Sequence, residues 1–225
     1  MLMGQCDIWS ARFCWMGESM SLILVVGTKR FSSWSLRPWL ALKATDAPFE
    51  EVEIALRQPD SKAEILKWSA AGKVPVLIDD GLLVWDSLAI CEYLAERFPA
   101  AKLWPDDPAA RAVARSVSAE MHSGFAVLRQ QCSMDLLLDS PLTDPAPDLL
   151  IEINRLDALV NDCRTRFGSD GPFLFGHFTI ADAMYAPVMT RFATYHLPLG
   201  PVAAAYRDTV LALPALAEWK ANIRI

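Results

Sequence analysis

Apolar and polar positions alternate in three different ways along this chain, and each way predicts a different kind of element. Leu22 to Val26 is an unbroken run of Leu, Ile and Val, the pattern of a strand covered on both faces. Phe49 to Leu56 alternates and reads as a second strand. Val76 to Ile78 and Leu82 to Trp85 flank Asp79-Asp80-Gly81, so they predict a β-hairpin. Between these runs, Leu36, Trp39, Leu40 and Leu42 recur at helical spacing, as do Leu88, Cys91, Leu94 and Phe98 after Asp86-Ser87. Pro38 is expected in the first turn of its helix, where a missing N–H costs nothing, which places the cap at Ser35 and leaves Ser32 and Ser33 just outside. A short helix over 61–68 completes the order strand, helix, strand, helix, hairpin, helix, with a right-handed βαβ crossover at its start.

Beyond the proline-rich stretch 99–108 no strand pattern recurs. A long helix is predicted from Arg111 to about Asp139, interrupted at Ser123-Gly124, and another from Leu149 to Phe167. Thr179-Ile180-Ala181-Asp182 has the form of a capping box at the head of a further helix, and two helices close the chain. The organisation expected is an extension over 1–20, an α/β domain over 21–98, a linker over 99–108 and an all-α domain over 109–225.

A chain of 225 residues that is 53% hydrophobic is long enough for a substantial core. Its net charge of −6, without a cluster of Lys and Arg, argues against nucleic acid or an anionic membrane as partner. No run approaches the ~20 apolar residues that span a bilayer, and a soluble protein is expected. The five cysteines form no C-x-x-C pair and have no histidine at ligand spacing, so neither a metal site nor a disulfide framework is expected, and a reducing cytoplasm fits.

The candidate chemistry lies around the hairpin. Pro75 heads its strand, so Val74 is extended and its N–H and C=O are open to an outside chain. Asp86 and Ser87 stand at the mouth of a helix, which attracts anions. Ser32 and Ser33 are hydroxyls at the mouth of another helix. No histidine lies beside them in sequence to act as a base.

Lys73-Val74-Pro75-Val76-Leu77 followed by Asp86-Ser87 resembles the glutathione-binding half of the cytosolic glutathione transferases, a thioredoxin-like domain followed by an all-helical one. The resemblance covers roughly 21–225. It implies a cis Val74–Pro75 bond, with Val74 pairing to the cysteinyl part of glutathione and Asp86-Ser87 holding its γ-glutamyl end. Ser32-Ser33-Trp34-Ser35-Leu36-Arg37 is similar to the zeta-class pattern S-S-C-S-W-R, found also in maleylacetoacetate isomerases, which makes Ser32 the sulfur donor. Counting back from Arg37 as in serine-type theta enzymes makes it Ser33. Trp34 replaces the zeta cysteine.

The resemblance implies a homodimer that joins the glutathione thiolate to an electrophilic, mostly apolar small molecule. A glutathione-dependent isomerase or peroxidase, or a non-catalytic binding protein, is the alternative. Trp34, Met121, His122 and Phe125 are the candidate acceptor lining, with Met121, Phe125 and Arg129 four apart on one expected helix face. Lys62 and Lys73 are candidates for the glycyl carboxylate.

Overall fold

The structure, a computed structural model, describes residues 22–224, so the expected extension over 1–20, with Cys6 and Cys14, lies outside the described residues. Its first part comprises β1 (Leu22–Gly27), α1 (Ser33–Lys43), β2 (Glu50–Ile54), α2 (Ser61–Leu66), β3 (Val76–Asp79), β4 (Leu82–Trp85) and α3 (Ser87–Arg97). The strands lie in the order β2-β1-β3-β4, with β2 parallel to β1 and the other pairings antiparallel. The continuous apolar run of β1 is explained by this position. Leu24 and Val26 face α1 and α3 together with Leu77, while Val25 faces the other way with Ile54, Ile65, Val76 and Ile78.

Two local expectations change. Asp79 belongs to β3 rather than to the turn, because its buried carboxylate accepts from the Tyr93 hydroxyl at 2.8 Å and Arg97 Nε at 3.2 Å. The turn is Asp80-Gly81, both at positive φ, as a tight two-residue hairpin requires. Helix α1 starts at Ser33 with Ser32 in the cap position, so Pro38 stands in its second turn and Ser35 inside its first. Ser35 does not cap: its oxygen accepts the N–H of Gly27, at the end of β1.

A 3₁₀ turn (Pro99–Ala101) precedes a helical part: α4 (Pro108–Ser123), α5 (Ala126–Gln131), α6 (Pro147–Phe167), α7 (Ile180–Thr194), α8 (Pro201–Leu211) and α9 (Pro214–Ala221). A mixed sheet with its helices, then an all-helical part, is the architecture the sequence predicts. The long helix expected as far as Asp139 instead breaks at Gly124-Phe125, where Phe125 takes a left-handed φ of 57° and buries its ring. Arg129 then folds back to donate to the carbonyls of Gly124, at 3.0 Å, and Met121, capping the end of α4.

Helix α7 is buried along nearly its whole length and packs on α1, α4 and α8. Its capping box forms, and Asp182 collects four donors: the Thr179 N–H at 2.8 Å, the Thr179 hydroxyl at 2.9 Å, the Leu174 N–H at 3.0 Å and the Tyr206 hydroxyl at 3.0 Å. Trp219 of α9 packs edge-on against Trp39 of α1, with ring centroids 5.1 Å apart, so the last helix bears on the first. Among the described residues no helix is long and apolar enough to cross a membrane.

Candidate functional site

The sheet topology gathers the candidate residues at one end. β1 leaves the sheet at Gly27, β4 leaves at Trp85, and β3, antiparallel to both, enters at Val76 between them. The loop that opens α1, the segment Val74-Pro75 and the residue Asp86 that opens α3 therefore share one edge, although nearly sixty residues separate the first from the last. The Val74–Pro75 peptide bond is cis. Gly27 is what lets the first loop lie against Val74: a Cβ there would stand 2.6 Å from Leu56 Cδ1 and 3.0 Å from Val74 Cγ2.

Ser32 and Ser33 are both buried to within 5% exposure. The Ser32 hydroxyl lies 2.8 Å from that of Ser35, and the Gly27 N–H donates to Ser35 Oγ at 3.1 Å. Ser33 Oγ has no hydrogen-bond partner among the described residues. The first turn of α1 carries no acidic side chain, so the positive end of the helix is available to an anion. The loop itself is held from the helical part. Arg30 donates twice to Asp135, at 2.6 and 2.7 Å, Leu136 N–H donates to the Arg30 carbonyl, and Trp219 Nε1 donates to the Lys29 carbonyl at 2.9 Å. Sequence reasoning missed Arg30, Asp135 and Trp219, since each acts across more than a hundred residues and carries no local signature.

Asp86 has φ +75° and caps α3: one carboxylate oxygen accepts from Leu88 N–H at 2.9 Å and Ala89 N–H at 3.2 Å. Its other oxygen stands 3.2 Å from His122 Nε2, and the side chain remains 43% exposed. Ser87 Oγ is buried beside it without a partner among the described residues. His122 also meets Trp34 edge-on, with centroids 5.3 Å apart. Burial pushes the His122 pKa below its ordinary value; Asp86 pulls it back up, and the cations of Arg37 and Arg129 push it down again. Its Nδ1 is buried without a partner among the described residues, which equally disfavours a second ring proton.

Of the expected acceptor lining, Trp34 and His122 stand at the site, whereas Met121 and Phe125 are core residues. The single face proposed for Met121, Phe125 and Arg129 does not exist, because α4 ends before Phe125. Arg129 reaches Trp34 by another route, its guanidinium 4.8 Å from the ring, and Arg37 lies 4.3 Å from the same ring. Arg37 is fully buried, and none of its side-chain nitrogens has a partner among the described residues. Burial, then the charges of Arg129 and Arg191, bring its pKa down to about 9.

Lys62 donates to the Gly72 carbonyl at 3.0 Å, and Lys73 is exposed, one residue before Val74. A cavity of about 530 Å³ lined by Trp39, Lys43, Phe49 and Glu218 lies toward the C-terminal end of α1, away from Asp86 and Val74. Among the described residues no group of His, Cys, Asp and Glu is arranged to hold a metal.

Two family profiles match the chain: "Glutathione S-transferase, N-terminal domain" over residues 31–97 and "Glutathione S-transferase, C-terminal domain" over residues 110–219. The chain is 30% identical over 190 residues to a probable maleylacetoacetate isomerase of Caenorhabditis elegans, covering 81% of this chain and 85% of that one. It is 30% identical over 204 residues to glutathione S-transferase omega-2 of Homo sapiens, covering 88% and 74% respectively. Among solved structures, a glutathione transferase homolog from Burkholderia with bound glutathione superposes with a TM-score of 0.71 at 24% identity, covering 91% of this chain and 98% of that one. An unclassified glutathione S-transferase of Bombyx mori superposes with a TM-score of 0.72 at 23% identity, covering 92% and 94%. At these identities the two structures bear on the fold.

Proposed function

Because the chain belongs to the glutathione S-transferase family, we propose that it binds glutathione at the sheet end described above and uses the tripeptide's thiolate against a small electrophile. The observation that carries this reading is the meeting of Ser32, cis Val74–Pro75 and Asp86-Ser87 at one edge, each beside a helix N-terminus or an open backbone. In this reading the backbone of Val74 pairs with the cysteinyl residue as an added strand would. Asp86 takes the γ-glutamyl ammonium, and Ser87 with the positive end of α3 takes the neighbouring carboxylate.

Ser32 donates its hydroxyl hydrogen to the sulfur at the mouth of α1. A free thiol has a pKa of ~8.5, and a hydrogen bond to a charged acceptor is worth ~1.5–3 kcal/mol, or ~1–2 pKa units. That shift turns a small thiolate fraction at neutral pH into a large one. The thiol proton goes to solvent. The thiolate then forms a C–S bond to the electrophilic carbon as the leaving group departs with its electron pair.

A second reading is favoured by the similarity to a probable maleylacetoacetate isomerase. There the thiolate adds to a conjugated cis double bond, the resulting single bond turns, and the thiolate leaves again with the trans product. Trp34, in place of the zeta-class cysteine, separates this chain from that pattern. Leu82 and Trp85, more than half exposed on the open edge strand β4, suit the homodimer usual in the family. Cys91, Cys132 and Cys163, all buried free thiols, suit a cytoplasmic enzyme.

Titration calorimetry with glutathione, followed by rates with an aryl halide and with a cis-unsaturated diketo acid, tests the proposal. Tripeptide binding and turnover of the halide support the transferase, and turnover of the cis acid alone supports the isomerase. Binding with neither activity leaves a glutathione-binding protein, and absence of binding overturns the site.

A further inference from the structure

Ser35 sits in the first turn of α1, fully buried, and its hydroxyl touches two polar groups among the described residues. These are the Gly27 N–H, 3.1 Å away, and the Ser32 hydroxyl, 2.8 Å away. We propose that Ser35 is a positioning residue that turns the hydroxyl hydrogen of Ser32 outward, toward the substrate sulfur. The proposal rests on the reading of Ser32 as the sulfur's donor.

An amide N–H can only donate, so one lone pair of Ser35 Oγ is committed to Gly27. The two hydroxyls share a single hydrogen bond, and a hydroxyl hydrogen rotates to suit its neighbours, so either serine can supply it. If Ser32 supplied it, the hydrogen of Ser35 would be buried without any acceptor among the described residues, an arrangement native interiors avoid. If Ser35 supplies it, the Gly27 N–H and the Ser35 hydroxyl are both satisfied. The one hydrogen then left over belongs to Ser32, which is the less enclosed of the two and whose side chain caps no backbone N–H of α1. The order is therefore Gly27 N–H to Ser35 to Ser32 to an acceptor arriving from outside.

Such a chain does more than aim. Successive hydrogen bonds polarise one another, so a Ser32 oxygen that already accepts from Ser35 is a better donor to an anion. Its root is fixed, because Gly27 ends β1 and has no room for any side chain against Leu56 and Val74. No proton leaves either serine, and only the direction of the hydrogens is set. Ser33, which has no hydroxyl partner among the described residues, lacks this support, and that distinguishes the two adjacent serines.

The test is the pKa of glutathione bound to the full-length protein, read from the ultraviolet absorbance of its thiolate between pH 5 and 10. Ser35→Ala is expected to raise it by about half a unit, a roughly threefold loss of thiolate on the acid side of the titration, while the KM for glutathione stays within about twofold. Ser35→Cys, with a weaker donor in the same place, is expected to fall between and carries the test if the alanine variant does not fold. A Ser35 variant with an unchanged bound pKa, beside a Ser32→Ala variant that shifts it, overturns the relay and leaves the donor reading intact. If Ser32→Ala leaves the bound pKa where it was, the donor reading falls and the relay with it.

Discussion

His122 Nε2 of α4 lies 3.2 Å from Asp86 Oδ2 at the head of α3, so the helical part places an ionisable ring against the carboxylate proposed to receive the substrate's ammonium. The other charged groups around this ring are Arg37 of α1 and Arg129 of α5. While His122 is neutral, Asp86 keeps its charge for the ligand. Once protonated, the ring competes for it.

The folded pKa of His122 lies below the ordinary 6.5, so the ring is neutral at neutral pH and charges as the pH falls below that value. The KM for glutathione is expected to rise on the acid side, and His122→Asn to remove that rise. Because the unfolded chain binds this proton more readily, the contribution to stability is present above 6.5 and is lost as the pH falls toward the folded pKa. Initial rates and thermal melts at stepped pH check both; a KM profile identical in the variant contradicts the pairing.

Asp86→Gly separates binding from folding. Glycine is an acceptable cap and relieves the positive φ of 75°, so stability is expected to change by no more than about 0.5 kcal/mol. Glutathione affinity is expected to weaken roughly tenfold, the size of one partly exposed charged hydrogen bond. Calorimetry beside a melting curve measures the two. Unchanged affinity would remove Asp86 from the site.

Asp135 ties the loop before α1 to the helical part. The hydrogen bonds from Arg30 hold its carboxyl below the usual carboxylate pKa, against a smaller opposing effect of burial. Its contribution to stability is therefore present above the unfolded value of 3.8 and is lost as the pH falls through the lower folded value. Asp135→Asn is expected to be less stable than the parent near neutral pH, with the difference closing in strong acid. Its kcat is expected to fall several-fold through a looser Ser32. Urea titrations from pH 2 to 7 follow the first, and steady-state rates the second.

Asp182→Ala tests the core of the helical part. It strands four buried donors, those of Thr179, Leu174 and Tyr206, at an expected cost of about 3 kcal/mol or more. The KM for glutathione is expected to hold in whatever fraction remains folded. A melting temperature like that of the parent would refute the role given to the capping box.

Strands, most helices, the capping box and the pair Val74-Pro75 with Asp86-Ser87 were legible because each is written in neighbouring residues: an apolar period, a turn dipeptide, a cap three positions from its partner. The misreadings have a common cause. Pro38 pointed to a late start for α1, but Ser35 was drawn away by Gly27 from a different element. The spacing of Met121, Phe125 and Arg129 assumed an unbroken helix, and burial of Phe125 in the core broke it.

The sequence by itself determined the periodicities, the residue types at the helix mouths and the family to which they point. Tertiary structure alone decided that the Ser35 hydroxyl meets Gly27 and Ser32, which carboxylate meets which ring, and that Arg30 finds Asp135 across 105 positions. The physical reason is range. Backbone preference and capping act within a few residues and leave a mark on the local pattern. A hydrogen bond between distant segments depends on how sheet and helices pack, and no short stretch of chain records that.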